Sequence, residues 1–193
     1  MSDKTDTQTR RAILRGLLKL LSGFIVLLGL WVSMSFLTAP DKATDREPVM
    51  RISLADIAVG DVLFIEWNQR PVLILKRDAA MQASLRTMPK ERLRDADSDK
   101  ARQPVSMKND FRSSSPEIFV AIASGTDFGC SLEWLPASDE PFMQEPWPGG
   151  FRDTCRGSRY DSAGRVFRSQ HATKNLPVPA YRIDGETVVL GTE

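Results

Sequence analysis

A mainly β chain is predicted: a small antiparallel β-sandwich or barrel domain preceded by one N-terminal transmembrane helix. Three observations carry that reading. Residues 20–39 contain no charge. Past residue 50, short runs of Val, Ile, Leu and Phe recur between Asn, Gly and Pro turns. At 193 residues, the chain has room for one globular domain of ordinary size plus extras.

The N-terminal element comes first. About 20 uncharged residues suffice to cross a hydrocarbon core of about 30 Å as a helix. Arg10, Arg11, Arg15 and Lys19 precede the run. Asp41, Lys42, Asp45, Arg46 and Glu47 follow it and nearly cancel. That asymmetry places residues 1–19 in the cytoplasm and the rest across the membrane. Thr9-Arg10-Arg11-Ala12-Ile13-Leu14-Arg15 also resembles a twin-arginine export signal, which sends an already folded domain across. The run is longer than a signal-peptide core, and Ser35-Phe36-Leu37-Thr38-Ala39 is a poor cleavage site, so a retained anchor is predicted.

Residues 40–50 carry Pro40 and Pro48 among polar residues and read as an extended linker. The domain then occupies 51–193. Runs at 62–67 and 71–75 are strands, parted by Asn68-Gln69-Arg70 as a hairpin signal. A third strand is predicted over 117–123 and a last one over 187–190. Residues 79–93 have helical composition without a strong apolar face, and 95–103 reads as a charged surface loop. No internal repeat is present.

Composition excludes several classes. Lys+Arg is 26 against Asp+Glu 25, a net charge of +1, which gives no footing for nucleic acid. Two cysteines and one histidine rule out any site needing two imidazoles or four thiolates within one copy of the chain.

The last third carries a specific pattern. Gly125-Thr126-Asp127-Phe128-Gly129-Cys130 and Asp153-Thr154-Cys155-Arg156-Gly157-Ser158-Arg159-Tyr160-Asp161 resemble the two cluster loops of the Rieske iron–sulfur subunit of quinol–cytochrome c oxidoreductases, C-T-H-x-G-C and C-P-C-H-G-S-x-Y-D. Gly149-Gly150-Phe151, Ser162-Ala163-Gly164-Arg165 and Asn175-Leu176-Pro177-Val178-Pro179-Ala180-Tyr181 match the flanks, and similarity weakens back to 52–57. The resemblance implies a Rieske-like β domain whose cluster-loop subdomain covers about 124–175. It implies a disulfide between Cys130 and Cys155, and it places Ser158 and Tyr160 where the family donates hydrogen bonds to cluster sulfur. Without a cluster they are expected to be kept for the turn and its packing. The cysteine pair could be redox-active, but structural disulfides lie below about −300 mV against about −150 to +300 mV for Rieske centres. The bridge is therefore expected to be a staple, one that closes a loop of about 25 residues and stabilises the fold by about 3–4 kcal/mol. The four cluster-ligand positions are Gly125, Asp127, Asp153 and Arg156, none a thiol or an imidazole. Asp127, Asp153 and Arg156 read either as surface charges on drifted loops or, the reading preferred, as an Arg156–carboxylate pairing in the vacated space.

From these departures the sequence predicts a degenerate member with no cofactor, no metal and no catalytic residue. Its role is then a structural or assembly subunit of a quinol–cytochrome c oxidoreductase-type respiratory complex. The partners would be the membrane and cytochrome b- or c-type subunits, with no nucleic acid. The location would be the bacterial inner membrane, single-pass, with a periplasmic domain. Alternatives are a genuine Rieske electron-transfer subunit and a periplasmic ligand- or metal-binding module. His171 lies outside both ligand loops and reads as a surface residue; with Asp127 and Asp153 it would make a mononuclear site short of ligands.

Overall fold

The computed structural model describes residues 3–37 and 48–191. It divides into two units, 1–45 and 46–193.

The first unit is one helix, α1 (Asp3–Leu37). Its stretch Arg10–Ser35 is long and apolar enough to cross a membrane. Large apolar side chains stand exposed all around it, from Ile13 to Met34, which suits a lipid surround rather than a protein core. The helix begins well before the predicted anchor at residue 20, because the flanking arginines are good helix formers. The predicted linker falls mostly outside the described residues.

The second unit is built from antiparallel sheets. Strands β1 (Met50–Ser53), β2 (Val62–Trp67) and β3 (Arg70–Lys76) lead into helix α2 (Ala79–Thr87). Strand β4 (Ile118–Ile122) follows, then β5 (Leu132–Leu135), β6 (Ser138–Phe142), β7 (Glu145–Trp147), β8 (Gly150–Asp153) and β9 (Arg159–Asp161). Strands β10 (Tyr181–Asp184) and β11 (Thr187–Leu190) end the described chain. The sheets are ordered β1-β11-β10, β2-β3-β4, β5-β8-β9 and β6-β7.

Each predicted strand forms. β2 and β3 join through Asn68 and Gln69, both at positive φ (50° and 58°), the conformation of a two-residue primed hairpin turn whose twist suits the strands. β3 is central and its Val72–Leu75 stretch is fully buried, which is why it reads as a continuous apolar run. β11 lies between β1 and β10, so the ends of this unit close one sheet together.

Two expectations need correction. The helix ends at Thr87 and a 3₁₀ turn covers Lys90–Arg92, because Pro89 interrupts it. The 95–103 stretch is not simply solvated. Asp95 is buried, accepting from the Asp99 and Lys100 amides, and its carbonyl accepts from the buried Asn175 side chain.

Phe119, Phe151, Tyr160, Val166 and Leu176 pack in the core beneath the β5-β8-β9 sheet. A satellite cluster of Leu93, Trp147 and Phe167 fastens the β6–β7 hairpin. Arginines clamp the loops between. Arg77 is buried over the Phe119 ring and donates to the carbonyls of Phe111, Pro116 and Ser162. Arg112 is buried and donates to the carbonyls of Ala163, Gly164 and Leu176. Burial lowers the Arg77 guanidinium to about 9 and that of Arg112 to about 10. Arg165 pairs with Asp161 at 2.7 Å, both buried.

Candidate functional site

Two loops leave the β5-β8-β9 sheet side by side. The first lies between β4 and β5 and is closed at its base by a bridge between Ser124 and Ser131. Within it the Gly125 amide donates to the Cys130 carbonyl (2.8 Å) and the Gly129 amide to the Gly125 carbonyl (3.0 Å). The second joins β8 to β9. The Asp153 amide donates to the Ser158 carbonyl (2.9 Å), and the Gly157 amide donates back to the Asp153 carbonyl (3.0 Å).

Three ties hold the loops together. Cys130 and Cys155 form the predicted disulfide, with Cα atoms 6.0 Å apart. The Thr154 amide and hydroxyl both donate to the Ser131 carbonyl at 3.1 Å. The Thr126 amide donates to the Tyr160 hydroxyl (3.1 Å), which also shares a hydrogen bond with the Thr126 hydroxyl (3.1 Å). Burial pushes the Tyr160 phenol up, the Thr126 hydrogen bonds oppose this, and the charges of Asp153 and Asp127 add to it.

Ser158 reaches a third segment: its hydroxyl accepts from the Ala172 amide (3.0 Å). Ser158 and Tyr160, which in the family face the cluster, here use their hydroxyls to hold neighbouring loops. Thr126 has the matching role from the first loop and was not singled out in the sequence, where nothing marks which hydroxyl faces Tyr160. His171 is exposed.

The four positions assigned to cluster ligands behave differently from one another. Gly125 and Asp153 meet. Asp153 is 1% exposed, and its Oδ1 accepts from the amides of Cys155 (2.8 Å) and Arg156 (2.9 Å). Its Oδ2 has no partner and lies 1.9 Å from where a Cβ on Gly125 would stand. The carboxylate therefore fills the space that any side chain at 125 would need. Asp127 faces its own turn, accepting from the Phe128 amide (2.9 Å), and its Oδ2 is likewise buried without a partner.

Arg156 does not pair as expected. It is exposed, its guanidinium lies over the Phe128 ring at 5.2 Å, and among the described residues it makes no ion pair with Asp127 or Asp153. The reason is local. Asp153 is turned inward by two amides of its own turn, while Arg156 rides on the outer face of that turn.

A Rieske cluster takes two thiolates on one iron and two imidazoles on the other. These four positions offer no side chain, two carboxylates and a guanidinium, and the two cysteines are joined to each other. The donor set does not fit a cluster held in that manner.

Comparison with known proteins bears on the same point. No family model matches the chain. It is 34% identical over 137 residues to the ubiquinol-cytochrome c reductase iron-sulfur subunit of Allochromatium vinosum, covering 71% of this chain and 66% of that one. It is 31% identical over 149 residues to the subunit of the same name from Rhodobacter capsulatus, covering 72% and 73%. For that of Bradyrhizobium diazoefficiens the identity is 30% over 161 residues, covering 83% and 81%. The expectation of no cofactor does not stand against these relatives, each named an iron–sulfur subunit. Substituted ligand positions describe one mode of holding a cluster and do not reach cofactors at large. Identity of 30% or more, sustained over more than two thirds of the second and third of these relatives, makes the conclusion plain: the chain belongs to the ubiquinol–cytochrome c reductase iron–sulfur subunits, the Rieske family.

Proposed function

We propose that this chain is a membrane-anchored Rieske-type subunit of a quinol–cytochrome c oxidoreductase complex, and that it serves there as a structural or assembly component. α1 anchors it in a bacterial inner membrane, and the β domain projects into the periplasm, where it docks on cytochrome b- or c-type subunits. The observation that carries this reading is the mutual fit of Gly125 and Asp153, in which the carboxylate occupies the space beside a residue without a side chain. Retention of the staple and of the Ser158 and Tyr160 ties supports it, because these keep the tip in shape for docking.

Electron transfer from quinol to a c-type cytochrome is the second reading, favoured by the names of the relatives. One experiment separates the two. The complex is captured from detergent-solubilised membranes through this subunit, its components are identified, and the subunit is reduced and examined by paramagnetic resonance beside an iron assay. Co-purification of cytochrome subunits without a Rieske-type signal supports the structural role. Stoichiometric iron with that signal establishes the electron-transfer reading, and recovery without any cytochrome subunit removes both.

A further inference from the structure

We propose that the Cys130–Cys155 bridge closes a second, redox-gated site: once a dithiol opens the bridge, Cys130, Cys155 and Asp153 bind one thiophilic divalent cation such as Zn²⁺ or Co²⁺. This site is separate from the docking role above, and from the four positions it shares only Asp153.

The ligand atoms are already gathered. The two sulfurs and one carboxylate oxygen of Asp153 lie within 4.8 Å of one another. A tetrahedral site with metal–sulfur bonds of about 2.3 Å and metal–oxygen bonds of about 2.1 Å needs ligand atoms roughly 3.6–3.8 Å apart, a spacing the sulfurs can take only once the S–S bond opens. Two thiolates and a carboxylate leave one position for water, the pattern of an open three-ligand site. Asp153 is only 1% exposed, and while its Oδ1 accepts two amides its Oδ2 is buried without a hydrogen-bond partner, so the carboxylate has unmet acceptor capacity next to the sulfurs. A buried oxygen of this kind is costly unless something satisfies it.

Access and persistence both follow from the loops. Cys155 is exposed and Cys130 half-buried, so a reductant and a cation can reach the sulfurs. The Thr154–Ser131 and Thr126–Tyr160 hydrogen bonds do not depend on the bridge, so the loops stay adjacent when it opens.

The chemistry balances. The incoming dithiol gives two electrons and two protons to the S–S bond and closes to its own disulfide. The cation then displaces the two thiol protons to water as it binds. Because the cation binds only the open form, it also draws the bridge toward reduction.

The full-length protein in detergent, reduced with a phosphine and desalted, is titrated with Co²⁺ alone. One equivalent should bind with thiolate-to-cobalt charge-transfer absorption, displaced by Zn²⁺, while the oxidised protein binds none. Asp153→Asn keeps an oxygen for the Cys155 and Arg156 amides and should bind at least tenfold more weakly. Cys155→Ser should lose much of the charge-transfer intensity. In the unsubstituted protein, the midpoint potential of the bridge should rise by about 30 mV for each tenfold increase in free Zn²⁺. Absence of cobalt binding after reduction overturns the proposal, as does equal affinity in Asp153→Asn or a potential indifferent to Zn²⁺.

Discussion

At Gly125 the argument turns on one carbon atom. A Cβ there would stand 1.9 Å from Asp153 Oδ2, and Asp153 has no room to retreat because it is buried and held by two amides. Gly125→Ala should therefore cost about 1–3 kcal/mol, the usual penalty for overpacking. In a thermodynamic cycle with Asp153→Ala, the double variant should lose less than the sum of the two singles, because the clash disappears with the carboxylate. Strict additivity in urea unfolding would show that the two residues do not share this space. The tyrosines make a second case. Burial pushes the phenols of both Tyr160 and Tyr181 above the ordinary 10.0. The ionised form is the penalised one, so their contribution to stability is complete below about pH 10 and lost as pH rises beyond it. The chain has two tyrosines, so the ultraviolet phenolate absorbance reads these groups alone. It should develop above pH 10 and in step with unfolding.

Turns and staples act on whole elements. Gln69 holds φ 58° at the second position of the β2–β3 turn, a conformation that glycine adopts without steric cost. Gln69→Gly should stabilise the domain by about 0.5–1 kcal/mol, seen as a higher denaturation midpoint at unchanged slope. The disulfide joins residues 25 apart, so replacing both cysteines by alanine should cost about 3–4 kcal/mol on the chain-entropy account. In a protein of this size that is a melting point lower by about 10 °C. The loops should nonetheless remain ordered, because Thr154 and Tyr160 still tie them.

For the molecule as a whole, the division at about residue 45 separates a helix long and apolar enough to cross a membrane from a domain with its own core. Produced without α1, residues 46–193 should be soluble and keep the Cys130–Cys155 bridge, as mass measurement of the alkylated protein would show. The proposed orientation has its own test. If Arg10, Arg11, Arg15 and Lys19 hold the N-terminus on the cytoplasmic side, protease added to intact spheroplasts should remove the domain and leave α1. Complete protection would reverse the orientation.

Local pattern made the N-terminal apolar helix, the β2–β3 hairpin, β4 and β11 legible, because each is an apolar run long enough to announce its own environment. The Cys130–Cys155 pairing was also legible, through the resemblance of the two loops to the Rieske pattern. The β6–β7 hairpin was not, since Ser138-Asp139-Glu140-Pro141 is exposed and carries no strand signal. Nor did charge in the sequence distinguish Arg156, which lies on the surface, from Arg77 and Arg112, which are buried. Their burial depends on carbonyls gathered from segments 34 to 85 residues away. The same holds for Asp153. Its residue type suggested a partner for Arg156, yet the amides of its own turn and the empty place beside Gly125 turned it inward. An apolar run reports its burial through neighbours in the chain, whereas a polar side chain's partner is set by which distant backbone groups folding brings within about 3 Å.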